Sequence, residues 1–148
     1  MKIQTTKTVL LSIVLMLTML LFFQACDKTS ETNFVGTHML EKNKAKETIA
    51  EGNKIWIEAK EFTDSRCPIN VDCVWAGVAT AKISFKDDTK EQTIELCLGA
   101  CDVVSKPKTQ EITIKNIDYT VELSDLNPYP NLGDKADNSK ATLIIKKK

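Results

Sequence analysis

Residues 78–96, VATAKISFKDDTKEQTIEL, decide the fold class of this chain. Apolar and polar side chains alternate through residues 78–86, which is the period of a half-buried β-strand. The polar residues 87–90, DDTK, interrupt this pattern, and a second alternating run follows in residues 92–96. The stretch therefore predicts a β-hairpin, and the hairpin turn explains the adjacent carboxylates Asp87 and Asp88.

The same pattern recurs on both sides of this hairpin. Short alternating runs bounded by turn residues predict further strands in residues 48–50, 54–60, 111–114, 119–123 and 141–145. No segment beyond Cys26 keeps a helical period over the ~10 residues of a typical helix. About seven short strands in regular succession predict an all-β fold, an antiparallel β-sandwich, with an immunoglobulin-like arrangement as the most economical choice.

A basic start and a long apolar run open the chain. Lys2 and Lys7 precede the uncharged residues 9–23, and Ala25 stands directly before Cys26. A membrane-spanning helix needs ~20 apolar residues, so the run is short for one. Residues 1–25 are therefore interpreted as the cleaved signal peptide of a bacterial lipoprotein, with Cys26 as the lipidated residue.

The cleavage region resembles a lipobox with two departures. Phe23 stands where that motif usually has Leu, and Gln24 stands where it has a small residue. An ordinary secretory signal cut near Ala25 and an uncleaved anchor helix remain as alternatives, and all three interpretations export the rest of the chain. We expect a protein of the cell envelope that is held by its lipid on the outer membrane, facing the periplasm or the cell surface.

The exported part divides into two regions. Residues 26–46 are polar and rich in lysine, which favours a flexible tether, although the apolar pairs at residues 34–35 and 39–40 would suit a first strand or a helical turn. Residues 47–148 are predicted to form the β-sandwich domain. One modest core is expected for a domain of this length.

The charge balance argues against a nucleic-acid partner. The full chain has 20 basic and 20 acidic side chains, and removal of Lys2 and Lys7 with the signal peptide leaves a net charge near −2. The only basic block, residues 146–148, follows an apolar run and is typical of a solvated strand end. The expected partners are the membrane, through the N-terminal lipid, and an envelope protein or a small ligand.

Four cysteines follow Cys26, namely Cys67, Cys73, Cys97 and Cys101. An even number in a small exported domain is typical of disulfides. The short separations favour the two local bridges among three connectivities, and each such loop contributes only about 2 kcal/mol in the loop-entropy model.

Zinc and redox chemistry are weaker interpretations of these cysteines. Five residues separate Cys67 from Cys73, whereas structural zinc sites favour two to four, and neither pair has the two-residue spacing of a thioredoxin-like motif. Asp134, Asp137 and Asn138 offer calcium-type oxygens without the spacing of an EF-hand loop. We therefore expect no metal and no cofactor.

Residues 64–77, DSRCPINVDCVWAG, carry the densest chemical signal. The stretch predicts a rigid loop between two strands, in which Pro68 restricts the backbone, a Cys67–Cys73 bridge closes the loop and Gly77 releases the chain into the next strand. Trp75 is expected to be buried over the bridge.

This stretch resembles a motif of small, largely uncharacterised secreted or lipid-anchored bacterial proteins, in which Asp-Ser-Arg-Cys-Pro and Cys-Val-Trp-Ala-Gly flank one short loop. The similarity extends to residues 119–126, 128–130 and the last strand, and so covers most of residues 47–146. The resemblance implies export and lipid anchoring but no particular activity.

Two classes of function remain open. The first is a non-catalytic binding or structural role in the envelope, with Arg66, Trp75 and Tyr129 as contact candidates in the end loops. The second is an inhibitor-like module whose disulfide-framed loop places Arg66 in a protease cleft. Motifs for catalysis are missing, including Gly-x-Ser-x-Gly, His-Glu-x-x-His and a phosphate-binding glycine loop, so we do not expect an enzyme.

Overall fold

The structure is a computed structural model that describes residue 16, residues 32–132 and residues 138–148. The predicted signal peptide, the lipidation residue Cys26 and the carboxylates Asp134 and Asp137 lie outside the described residues, apart from Met16. Among the described residues, no helix is long and apolar enough to cross a membrane.

Eight strands and one helical turn make up the described fold. They are β1 (Gly36–Glu41), β2 (Ala45–Ala50), β3 (Asn53–Asp64), β4 (Val78–Lys86), β5 (Glu91–Gly99), α1 (Cys101–Val104), β6 (Thr109–Ile114), β7 (Ile117–Asn127) and β8 (Lys140–Lys147). One sheet has the order β1-β8-β7-β6 and the other has the order β2-β3-β4-β5. All named pairs are antiparallel, so the predicted all-β antiparallel sandwich is confirmed.

The core lies between the two sheets because alternate residues of each strand face inward. In β3, for example, Ile55, Ile57 and Ala59 are fully buried while their neighbours are more exposed. Phe34 packs edge-on against Tyr119 and Phe85, with ring centroids 4.8 Å and 6.1 Å apart. Burying side chains of this size contributes about 1.5–3 kcal/mol each.

The domain starts earlier than the sequence pattern predicts. Strands β1 and β2 begin inside the region expected to be a tether, so the boundary at residue 47 is wrong. The apolar pairs of this region explain the difference, because Phe34 and Leu40 are buried in the core. Residues 32–34 also cover the edge of β2, where Phe34 N donates to Ile49 O at 2.9 Å and Ile49 N donates to Thr32 O at 2.9 Å.

The connectivity differs from that of an immunoglobulin domain. Every hydrogen-bonded neighbour within a sheet is also a neighbour in sequence, except that the first strand pairs with the last. Immunoglobulin-like sandwiches use Greek-key connections instead. Two crossings join the sheets here, one through residues 42–44 and one through α1 and the residues up to β6.

This up-and-down arrangement gives the sandwich two unlike ends. The turn end holds the short connections at residues 51–52, 87–90 and 115–116. The loop end holds the long connections at residues 65–77, 100–108 and 128–139, of which residues 133–137 are outside the description. Residues 32–34 pair in parallel with β2 around Ile49, so this first described segment runs along the edge of β2 toward the turn at residues 51–52.

Candidate contact surface at the loop end

The loop of residues 65–77 continues the pairing of β3 and β4 before it leaves the sheet. Ser65 N donates to Val78 O at 2.8 Å, and Cys67 N donates to Ala76 O at 3.0 Å. The Cys67–Cys73 bridge then closes the loop, with a Cα–Cα distance of 5.9 Å. The favoured local pairing is confirmed, because the second bridge joins Cys97 to Cys101.

Two glycines let the backbones of these loops touch. At Gly77, with φ +76°, an added Cβ would lie 2.1 Å from Ser65 O. At Gly99, with φ +86°, an added Cβ would lie 2.7 Å from Gly77 O. Ala100 N donates to the same Gly77 oxygen at 3.0 Å, so the first loop and the segment leading into α1 are directly joined. Only glycine combines this conformation with so close an approach.

Arg66 points into the domain and is only 8% exposed. Its Nε donates to Asp64 Oδ1 at 2.9 Å, and its Nη2 donates to Asp64 Oδ2 at 2.6 Å. The same Nη2 donates to Leu126 O at 2.6 Å, which ties the first loop to the end of β7. Arg66 is therefore held by a carboxylate and by a backbone carbonyl.

The guanidinium of Arg66 stays charged in this setting. Burial disfavours the charge, but the hydrogen bond and the negative charge of Asp64 outweigh it, so the pKa of Arg66 is raised above its ordinary value. A buried, charged arginine that is held by Asp64 and by the Leu126 carbonyl is not free to enter a protease cleft. The geometry thus opposes the inhibitor hypothesis for Arg66 and gives this residue a structural part in the loop end.

The segment after β7 packs against the first loop. Ile69 N donates to Pro130 O at 3.2 Å, and Leu132 N reaches Asn70 Oδ1 at 3.5 Å. The guanidinium of Arg66 also lies 4.3 Å from the centroid of the Tyr129 ring, within the range of a cation–π contact. The structure therefore brings Arg66 and Tyr129 together, as two of the three predicted contact residues.

Trp75 is the third predicted contact residue. It was predicted to be buried over the Cys67–Cys73 bridge, and this prediction is wrong. Its side chain is 49% exposed. Trp75 directly precedes Ala76, whose carbonyl accepts the hydrogen bond from Cys67 N. This is the last backbone pair of the loop, and Trp75 lies in the part that no longer pairs as a strand. An exposed tryptophan on a held loop is available to a partner, whereas a buried one is not.

Several apolar residues that the sequence did not single out accompany Trp75. Val74 is fully exposed, Ile69 is 72% exposed and Leu132 is 65% exposed. We call the exposed apolar residues of the two hydrogen-bonded loops the loop-end patch, and its members are Ile69, Val71, Val74, Trp75, Tyr129 and Leu132. The sequence feature that could have identified these residues is the presence of several apolar side chains inside a loop bounded by cysteines and turn residues.

Two exposed acidic side chains belong to the connections at the loop end. Asp72 lies within the first loop and Asp102 lies on α1, and both residues are exposed. Among the described residues neither carboxylate takes part in an ion pair, whereas Lys106 and Lys108 pair with glutamates of the neighbouring strands. Lys42, Lys44 and Lys140 lie at the same end beside residues 138–139, so the described part of the loop end carries both signs of charge.

A cavity of about 450 Å³ lies elsewhere, on the outer face of the β2–β5 sheet around Trp56. Its polar groups already bind one another: Lys60 lies 2.6 Å from Glu58, and Ser84 donates to Glu91. These contacts stabilise this face of the sheet, and the residues that line the cavity do not indicate a particular class of ligand.

The paired carboxylates of the β4–β5 hairpin have a structural part. Asp87 Oδ1 accepts hydrogen bonds from Thr89 Oγ1 at 2.6 Å, from Thr89 N at 2.7 Å and from Lys90 N at 2.8 Å. These bonds, led by that from the Thr89 hydroxyl, lower the pKa of Asp87 to about 2. The turn that the sequence predicted is confirmed. Within the described ranges, no group of three or more His, Cys, Asp or Glu side chains could hold a metal ion.

Comparison with protein-family models, with curated proteins and with solved structures finds no match for this chain. The resemblance of residues 64–77 to a lipoprotein motif thus stays a prediction.

Proposed function

We propose that this protein is a lipid-anchored lipoprotein of the bacterial cell envelope that acts without catalysis, by binding a partner through the loop end of its β-sandwich. Cys26 carries the lipid, and residues 27–31 join it to the domain. The proposal places the protein outside the cytoplasm, on the outer membrane, facing the periplasm or the cell surface.

The loop-end patch is the observation that carries the binding role. Large apolar side chains cost free energy when water surrounds them, and exposed clusters of them mark interaction surfaces. Here they stand on loops that are held by the Cys67–Cys73 bridge and by the contacts of Arg66. A surface ordered before binding loses little conformational entropy when a partner arrives.

Export and anchoring are supported by the N-terminal pattern and by the bridges. Two local disulfides suit an oxidising compartment.

Intact mass spectrometry of the protein purified from membranes tests the anchor. We expect a chain that starts at Cys26 with a diacylglyceryl group, alone or with a third acyl chain, and with four cysteines that react with an alkylating reagent only after reduction. The Cys26→Ser variant should lack the lipid mass and leave the membrane fraction. A wild-type mass without lipid, or free thiols before reduction, would overturn the anchored, disulfide-framed interpretation.

A further inference from the structure

We propose that His38 is an acid-sensitive lock on residues 32–34, which we call the N-terminal clip. The neutral imidazole holds this clip against the edge of β2, and protonation of the ring releases it. Release exposes the Phe34 ring and the backbone edge of β2 while the rest of the sandwich stays folded. The lock works with or without a lipid at Cys26 and does not involve the loop-end patch, because all of its groups lie inside the domain.

The clip joins an edge strand of each sheet. Phe34 N donates to Ile49 O and Ile49 N donates to Thr32 O, both at 2.9 Å, so the clip pairs in parallel with β2. The chain then bends, and from Gly36 onward it forms β1, the edge strand of the other sheet. The Phe34 side chain is fully buried and packs edge-on against Tyr119. The clip thus covers an edge that would otherwise offer unpaired backbone groups.

His38 fixes the bend that follows the clip. Its side chain is 2% exposed, and its Nε2 lies 2.8 Å from Phe34 O. Because a carbonyl oxygen can only accept a hydrogen bond, the neutral ring carries its hydrogen on Nε2 and donates it to Phe34. The other ring nitrogen, Nδ1, is buried and has no partner among the described residues. Protonation would turn it into a charged donor without an acceptor, which is far more costly to bury than a lone pair.

The strands that enclose this side of the core present mainly neutral groups. The cross-strand partner of His38 on β8 is the buried Leu143, and the core-facing residues of β3 are aliphatic. Strand β7 contributes the Tyr119 phenol, whose pKa is raised, chiefly by burial, so that it stays neutral. Strand β2 contributes the buried Thr48 hydroxyl, which already donates to a backbone carbonyl of β3 at 3.0 Å. These groups offer an imidazolium no negative charge to pair with.

The charged side chain that acts on His38 is Lys46 of β2, and its sign is unfavourable. Lys46 pairs with the fully buried Ile57, so it starts from the core-facing side of β2. A proton on His38 would therefore place two positive charges on the inner faces of two edge strands. Burial and the charge of Lys46 lower the pKa of His38 below its ordinary 6.5, against the effect of the Phe34 hydrogen bond, so the closed clip resists protonation.

The clip is the part that yields when the ring takes up a proton. Strand β1 pairs with β8 along all of Gly36–Glu41, whereas the clip has two backbone hydrogen bonds to β2. Detachment of Phe34 lets water reach both nitrogens of His38 and breaks neither sheet. Local opening of such a weakly held segment requires less free energy than global unfolding.

The direction of the pH effect follows from the two states. The open clip leaves His38 in water with its ordinary pKa of 6.5, whereas the closed clip lowers this pKa. The open state therefore binds the proton more readily, and the open fraction rises as pH falls below 6.5. Between pH 7.5 and pH 5.5 we expect a rise of about threefold to tenfold, where tenfold is the limit set by proton binding to the open state alone.

Amide hydrogen exchange of the full chain, purified in detergent, measures the opening. The amides of Phe34 and Ile49 join the clip to β2, and amides in the middle of β4 report global unfolding. After correction for the rate of an unstructured chain at each pH, the clip amides should show the expected rise. They should also exchange at least about tenfold faster than the β4 amides, and low urea should accelerate only the β4 amides.

The titration of His38 can be followed directly, because it is the only histidine of the chain. Its ring proton signals in a nuclear magnetic resonance titration should give a midpoint below 6.5. His38→Gln keeps a side-chain amide that can donate to Phe34 O but takes up no proton in this range, so its clip amides should lose the pH dependence.

A pair of lysine variants tests the charge. Lys46→Met removes the unfavourable charge and keeps an unbranched side chain, so it should raise the midpoint of His38 and reduce the opening in acid. Lys82→Met changes an exposed lysine of β4 and should alter neither quantity.

Five results would overturn the inference: a His38 midpoint at or above 6.5, a rise in clip opening of less than threefold, clip amides that exchange as slowly as those of β4, an unchanged pH dependence in His38→Gln, and equal midpoints in the two lysine variants. The wild-type measurements decide the matter even where His38→Gln does not fold.

Discussion

The two ends of the sandwich achieve order by different means. At the turn end the connections are only two to four residues long, and exposed ion pairs such as Lys147 with Glu51 at 2.6 Å join neighbouring elements. At the loop end long connections are held by two disulfides, a buried arginine and backbone contact at Gly77. Long loops need such internal supports. Here the supported loops carry exposed apolar residues, so these residues are held in position before any contact forms.

The largest expected effect tests the backbone contact. Gly77→Ala should destabilise the domain by about 3–4 kcal/mol, because the new Cβ would meet Ser65 O at 2.1 Å in a left-handed conformation. Gly52→Ala at the turn end is the control, since it shares this conformation, with φ +77°, but has open space around it. It should cost only about 1 kcal/mol, as urea unfolding would measure. Equal costs would contradict the difference between the ends.

Removal of the buried arginine should follow in size. Arg66→Met leaves the Asp64 carboxylate and the Leu126 carbonyl without their donor, at a cost of about 2–4 kcal/mol. The same change at Lys147 breaks an ion pair exposed to solvent and should leave the urea midpoint close to that of wild type. A midpoint for Arg66→Met as high as that for Lys147→Met would show that Arg66 does not hold the loop end.

The first disulfide should contribute less than the arginine. Replacing both Cys67 and Cys73 with Ser should cost about 2 kcal/mol, because a short loop loses little entropy when it is closed. The loss should be local, so limited proteolysis should cut residues 68–75 first and leave the turn end intact. Simultaneous cleavage at both ends would show that the bridge supports the whole fold and not the loop end.

The smallest effect concerns the core that both ends share. His38 is buried, its Nε2 donates to Phe34 O at 2.8 Å, and its Nδ1 has no partner among the described residues. Burial, assisted by the charge of Lys46, lowers the pKa of His38 below its ordinary 6.5, against the effect of the Phe34 hydrogen bond. The unfolded chain then binds this proton more readily than the folded one, so stability should fall as pH drops below 6.5.

Urea midpoints at pH 7.5 and pH 5.5 check this sign. Wild type should be less stable at the lower pH, and His38→Gln should lose most of that dependence. A midpoint that rises as pH falls would contradict the assigned neutral state of His38.

Much of the fold could be predicted from alternation alone, because side chains of a strand face opposite sides of a sheet. The predicted hairpin of β4 and β5 is present, with Ala79, Ala81, Ile83 and Phe85 in the core, although Val78, Thr80 and Ser84 are buried as well. Strand β1 was predicted only as an alternative to the tether, because Leu40 stands among polar residues without a clean alternating run. Its pairing with β8 joins the two ends of the domain sequence, which local patterns do not report.

The candidate site was only partly predictable. Cysteine spacing sufficed for both bridges because each pair is close in sequence. The burial of Arg66 was not predictable, since Leu126, its carbonyl partner, lies 60 residues away. The exposure of Trp75 and Val74 depends on where the loop leaves the sheet, and no residue type in the loop encodes that position.

Amide hydrogen exchange at the loop end tests most directly the claim that the fold holds these loops ready for contact. The amides of Cys67, Ile69 and Ala100 each donate to a backbone carbonyl of the loop end, at Ala76, Pro130 and Gly77. We predict that they exchange slowly, within about tenfold of amides in the middle of β4, and that reduction of Cys67–Cys73 releases Ile69 while β4 stays protected. Exchange of all three at the rate of an unstructured chain would contradict the account.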